Sequence, residues 1–222
     1  MRTYLYVLTG LWVLASCGAL TESASESSVA TAPPTGAAVA AVRSQPFSPD
    51  LIRPGMTYVG TLVHGLAWTD GQGEQVAIFS REMEEEEGEF FSSSVTLHVY
   101  HYRLTPAGVS LVREVKDFTL DCEFDNMAAF VPEAMGLTDL DQDGEAELTF
   151  AYYLGCTSDV SPLPFKLLLL ESGSKYIIRG DVVPPMMGES SQVPDPAFAA
   201  GPAIFLEHAQ QLWNKTARYP GL

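Results

Sequence analysis

From about Phe47 the chain runs in short apolar segments broken by turn residues, and in two of them the apolar positions recur with a period of two. In Val95-Thr96-Leu97-His98-Val99-Tyr100 alternate residues would face a core, and the period recurs in Leu148, Phe150, Tyr152 and Leu154. Successive side chains of a strand point to opposite faces, so this is the pattern of half-buried β-structure. Thr57 to Trp68 and Gln75 to Ser80 flank Thr69-Asp70-Gly71-Gln72-Gly73-Glu74, and Val95 to Leu104 and Val109 to Phe118 flank Thr105-Pro106-Ala107-Gly108. Phe165 to Leu170 and Lys175 to Arg179 flank Glu171-Ser172-Gly173-Ser174. Each pair reads as a hairpin, because the intervening residues are those that turn a chain. The period changes only near the end. There Phe205, Leu206, Ala209, Leu212 and Trp213 share one helical face and Glu207, His208, Gln210, Gln211 and Asn214 the other, with Pro202 suited to the first turn. The fold class expected is mainly β: an antiparallel meander of hairpins, propeller-like or sandwich-like, with one C-terminal amphipathic α-helix.

The N-terminal sixteen residues break this pattern. Their apolar run from Leu5 to Ala15 follows a single Arg2 and is too short to span a bilayer, which is the form of an export signal. Leu14-Ala15-Ser16-Cys17 resembles the lipobox of bacterial lipoproteins, in which cleavage precedes a cysteine that is then acylated. That resemblance implies a signal peptide over 1–16, lipidation of Cys17, and, with Gly18 rather than Asp next, delivery to the outer membrane where the cell has one. The alternative is an ordinary signal peptide with an incidental cysteine. Residues 17–46 are rich in Ser, Ala, Thr and Pro and nearly free of bulky apolar side chains, so burial could not offset the entropy of ordering them. They read as a flexible linker, with the globular domain over 47–222.

Composition narrows the classes of partner. The 222 residues are 46% hydrophobic, enough for a proper core, and carry 28 acidic against 12 basic side chains for a net charge of −16. A nucleic-acid surface needs clustered Lys and Arg, so that class is excluded; cations and basic partners fit the charge, as do simple solubility and a salty habitat. The run Glu82-Met83-Glu84-Glu85-Glu86-Glu87-Gly88-Glu89 repels itself and is expected to be a solvated loop, or a site for a basic partner.

One stretch carries chemistry. Thr138-Asp139-Leu140-Asp141-Gln142-Asp143-Gly144-Glu145-Ala146-Glu147 places aspartates at every second position, then a glycine, then a glutamate, ahead of the apolar run from Leu148. Carboxylates at loop positions 1, 3 and 5 can converge on one hard cation, Gly144 allows the turn, and the carbonyl of Glu145 and the carboxylate of Glu147 can close the shell. The candidate calcium ligands are therefore Asp139, Asp141, Asp143, Glu145 and Glu147. The competing reading is an Asp-Gly hairpin turn without metal. An EF-hand is disfavoured, since its bidentate glutamate at position 12 is Phe150 here.

Cys122 and Cys156 bracket this loop, and in an exported protein they are a candidate disulfide; two buried free thiols are the alternative. No enzyme is indicated. The chain has no Gly-x-Ser-x-Gly, no His-Glu-x-x-His and no phosphate-cradling glycine motif. His98 and His101 lie three apart on a strand and so point to opposite faces. Carboxylate pairs such as Asp121 and Glu123 leave a glycosidase as a low-ranked alternative.

The acidic loop with its following strand resembles the FG-GAP and VCBS type of calcium loop found in propeller-like β proteins. Asp121-Cys122-Glu123-Phe124-Asp125, the loop itself, Cys156-Thr157-Ser158-Asp159-Val160-Ser161-Pro162, Lys175-Tyr176 and Arg179-Gly180 resemble a family of bacterial envelope proteins labelled as surface polysaccharide biosynthesis proteins. The likeness covers the middle third of the chain and, loosely, the C-terminal helix. It implies a lipid-anchored, non-catalytic binding or assembly protein of the cell envelope, with a membrane contact through lipid and a protein or polysaccharide partner. The alternative is a periplasmic inhibitor or immunity protein against a secreted cell-wall hydrolase, whose basic surface would suit this chain's acidity.

Overall fold

The computed structural model describes residues 41–88 and 91–220; the signal peptide, Cys17 and the linker as far as residue 40 lie outside the described residues. Strands β1 (Arg43–Gln45), β2 (Thr61–Asp70), β3 (Gly73–Glu87), β4 (Phe91–Thr105) and β5 (Gly108–Cys122) form one antiparallel sheet in chain order. After β6 (Asp125–Asn126) come β7 (Ala129–Thr138), β8 (Glu147–Tyr153), β9 (Cys156–Thr157), β10 (Leu163–Glu171), β11 (Ser174–Val182) and β12 (Val193–Pro194). The second sheet has the order β12-β11-β10-β8-β7, and β6 pairs with β9. Helix α1 (Ala203–Thr216) follows. The mainly β, antiparallel fold class is thus observed, in its sandwich-like form.

Three layers result. Trp68, Phe79 and Leu97 of the first sheet meet Leu148, Phe150 and Leu168 of the second. The Phe79 ring stands edge-on to Phe130 at 5.4 Å and to Phe150 at 5.5 Å, the arrangement that ring quadrupoles favour. The opposite face of the second sheet buries Phe165, Leu167 and Ile178 against Phe205, Ala209 and Trp213 of α1. Buried on both faces, β10 is a continuous apolar run, Leu167 to Leu170, rather than an alternating one. Each fully buried side chain of this size contributes about 1.5–3 kcal/mol. Pro202 stands at the N-cap of α1, one position before the first turn, and Leu206 and Leu212 flank the buried stripe half-covered.

Two boundaries differ from expectation. A short strand, β1, pairs Arg43–Gln45 with Ala67–Thr69 ahead of the domain start expected at Phe47. The larger correction concerns the glutamate run, which is no loop: residues 82–87 continue β3 and pair with residues 91–96 of β4. Extension sends successive glutamates to opposite faces and leaves same-face neighbours about 7 Å apart. Repulsion between two charges at about 7 Å in water is only about 0.6 kcal/mol. The strand ladder outweighs it, because the facing residues Ser92, Ser93, Ser94 and Thr96 add no charge.

Candidate metal centre

Three turns meet at one end of the sandwich. The acidic loop between β7 and β8 lies against the β2–β3 turn, where Gly71 N–H donates to the Gly144 carbonyl (2.7 Å) and Ala146 N–H to Asp70 Oδ2 (3.1 Å). On its other side the β10–β11 turn donates the Ser172 hydroxyl to Glu145, which also accepts from the Gln72 amide. A Cβ at Gly71 would sit 3.1 Å from the Gly144 carbonyl oxygen, so this close approach favours glycine. Gln142 and Gly144 have φ of +62° and +84°, the left-handed conformations that fold the loop back on itself.

Each expected ligand can be placed. Carboxylate oxygens of Asp139, Asp141 and Glu147 all lie within 4.8 Å of one another, as do those of Asp141, Asp143 and Glu171. Oxygens on a calcium shell of radius about 2.4 Å stand up to about 4.8 Å apart, so each trio by itself could lie on such a shell, and Asp141 is common to both. Glu147 is wholly buried; its carboxylate accepts from the Leu140 N–H (3.0 Å) and the Thr138 hydroxyl (2.7 Å), fastening the start of the loop to β8. Burial pushes its carboxyl up, and those two hydrogen bonds oppose the rise. Asp143 Oδ1 accepts from Glu145 N–H at 2.8 Å, an Asx turn within the loop. The Glu145 carboxylate is held by Gln72 and Ser172.

Glu171 and Asp70 were not legible as site residues. Glu171 ends β10 and turns its carboxylate toward the loop; its Oε1 is buried without a hydrogen-bond partner among the described residues. Burial, and then the charges of Asp141, Asp143, Glu147 and Glu145, push its carboxyl up to about 7. Asp70 is the buried anchor of the β2–β3 turn, and it accepts from Trp68 Nε1 (2.8 Å), Gln72 N–H (2.8 Å), Gln75 Nε2 and Ala146 N–H. In sequence both residues sit inside hairpin turns, and nothing local ties either turn to residues 139–147.

The disulfide is present. Cys122 and Cys156 are bonded with their Cα atoms 5.5 Å apart, joining the end of β5 to β9. His98 and His101 do face opposite ways: His98 stacks on Tyr100 on the outer face of the first sheet, while His101 lies inside beside Trp68 at 5.1 Å. Two open grooves, one along Phe165, Arg179 and Pro194 and one along Phe47, Leu62 and His64, contain none of the acidic-loop residues. No helix among the described residues is long and apolar enough to cross a membrane. No family model, no curated protein and no solved structure matches this chain.

Proposed function

We propose that this protein is a non-catalytic, lipid-anchored binding or assembly module of the cell envelope whose acidic loop holds a structural calcium ion. The observation that supports the metal is Glu171, a carboxylate with a buried, unpartnered oxygen turned onto further carboxylates. Left to themselves these groups repel; a divalent cation turns the repulsion into attraction. Asp139, Asp141, Asp143, Glu147 and Glu171 would hold the ion through side-chain oxygens and Glu145 through its carbonyl, within the six to eight oxygens that calcium takes. The ion would supply a fixed positive charge there. Because the surrounding turns belong to both sheets, its role is to clamp that end of the sandwich. The N-terminal lipobox-like stretch supports the envelope, and the outer membrane, as its address, while the family likeness suggests surface polysaccharide as a ligand. An inhibitor of a secreted cell-wall hydrolase is the second reading, favoured by the exposed glutamates of β3.

Melting in calcium and in chelator tests the metal. At a hundredfold excess over the dissociation constant the stabilisation is about 2.7 kcal/mol, and for a domain of this size each kcal/mol raises the melting temperature by about 2–4 °C. Asp141→Ala and Glu171→Gln should abolish most of that difference. Identical wild-type melting in both conditions, with no heat of binding at millimolar calcium, would leave the loop a metal-free turn.

A further inference from the structure

The outer face of the first sheet is only half covered. Phe47, Leu51, Ile52 and Met56 lie over Ala67, Val76, Ile78, Tyr100 and Tyr102. That covering segment ends where Gly60 crosses the backbone of β3; a Cβ there would meet the Arg81 carbonyl oxygen at 2.5 Å. Beyond this point three parallel rows lie open among the described residues. Glu82, Glu84 and Glu86 line β3, and the small hydroxyl residues Thr96, Ser94 and Ser92 face them on β4. On β5 Phe118 pairs with Thr96 and is 50% exposed, and Leu120 on the same face is 53% exposed.

Small side chains between two taller rows make a trough, acidic on one wall and apolar on the other. The glutamates alone would be explained as guards of the strand edge that β2 leaves unpaired beyond Arg81. Guarding does not account for a neighbouring row of exposed Phe and Leu, nor for the head of the trough. There, among the described residues, Ser80 Oγ and His98 Nε2 are buried without hydrogen-bond partners; His98 is 3% exposed and its Nε2 points at the Glu82 carboxylate, 3.6 Å away. Lys116, paired with His98, is a basic residue on this face, against Glu82, Glu84, Glu86 and Glu114.

We propose that this trough docks a cationic amphipathic helix of another protein, with its basic flank on the glutamate row and its apolar flank on Phe118 and Leu120. The two rows stand two strand spacings apart, about 9.5 Å, so a single helix about 10 Å across can lie over the trough and touch both rows. From Thr96 to Ser92 the trough runs about 14 Å, the length of a helix of about nine residues. Residues 18–40 of this chain contain two glutamates and no Lys or Arg, so they lack the charge to fill it. This proposal rests on the binding-module reading and is independent of calcium.

The test lets the surface choose its ligand. A displayed library of random peptides about 14 residues long, enough for about four helical turns, is selected on the full chain. The expected pool carries net positive charge with apolar residues at helical spacing. The leading peptide should bind at least tenfold more weakly to Glu82→Gln/Glu84→Gln/Glu86→Gln and to Phe118→Ser/Leu120→Ser, variants whose melting stays that of the wild type. No enrichment, an enriched pool that is neutral, acidic or alternating as a strand, or undiminished wild-type affinity in either variant overturns the proposal. Calcium-dependent melting that persists alongside any of these leaves the metal reading standing, and peptide binding that survives chelator with no calcium effect on melting does the reverse.

Discussion

Asp70→Asn changes one oxygen of a buried side chain and nothing of its shape, which makes it a sharp probe of how the acidic loop is held to the first sheet. Three donors converge on Asp70 Oδ2, from Trp68, Gln75 and Ala146, and Gln72 N–H donates to Oδ1. An asparagine must aim its NH2 at one of these two sets. In the better orientation it keeps the oxygen toward the three donors and confronts Gln72 N–H with another donor. The lost bond is one to a carboxylate, worth about 1.5–3 kcal/mol, and each remaining bond weakens as its acceptor changes to an amide. The expected loss is about 2–4 kcal/mol. Asp70→Ala strands all four donors and should cost more, a large part of a total stability of about 5–15 kcal/mol. Urea denaturation reads this directly: with a slope of about 2 kcal/mol/M the Asn variant's midpoint should fall by about 1–2 M at unchanged slope. Hydrogen exchange at the Ala146 and Gln72 amides should speed up with it. A midpoint within about 0.2 M of the wild type, with both amides as protected as before, would refute the hub role, since losing the half-buried Gln72 bond and weakening three buried ones cannot be free of cost.

Two other predictions concern covalent and protonic links. Opening the Cys122–Cys156 bridge, which spans 34 positions, by the double substitution to serine should cost about 4 kcal/mol in the chain-entropy model, measured as a lowered denaturation midpoint; an unchanged midpoint would refute the stabilising role. His101 donates from Nε2 to Gln75 Oε1, the orientation set by Gln75 donating its amide to Asp70, and burial followed by the charge of Arg103 lowers its pKa from 6.5 to about 4. The unfolded chain therefore takes this proton first as pH falls, so stability present above about pH 6.5 is lost progressively down to about pH 4, by about 3 kcal/mol from this residue. His101→Gln should remove that portion of the slope, and parallel stability profiles for the two proteins over this window would count against it.

Local pattern determined much of this molecule. Period-two runs and turn residues mark the hairpins, and the apolar stripe ending in Trp213 marks the single helix, because backbone geometry alone sets those spacings. The ligand-type residues of the acidic loop were legible for the same reason: Asp139, Asp141 and Asp143 are neighbours in sequence, and their chemistry is local. Glu171 and Asp70 were not. They reach residues 139–147 only after the sheets pack and three turns are carried to one end, a juxtaposition set by strand order and register rather than by any short stretch. The glutamate run shows the same limit from the other side. Its charge argued for a loop, and only pairing with the serine-rich start of β4 decided that it is a strand with an acidic wall, since a ladder spreads charges that would crowd one another in a compact turn.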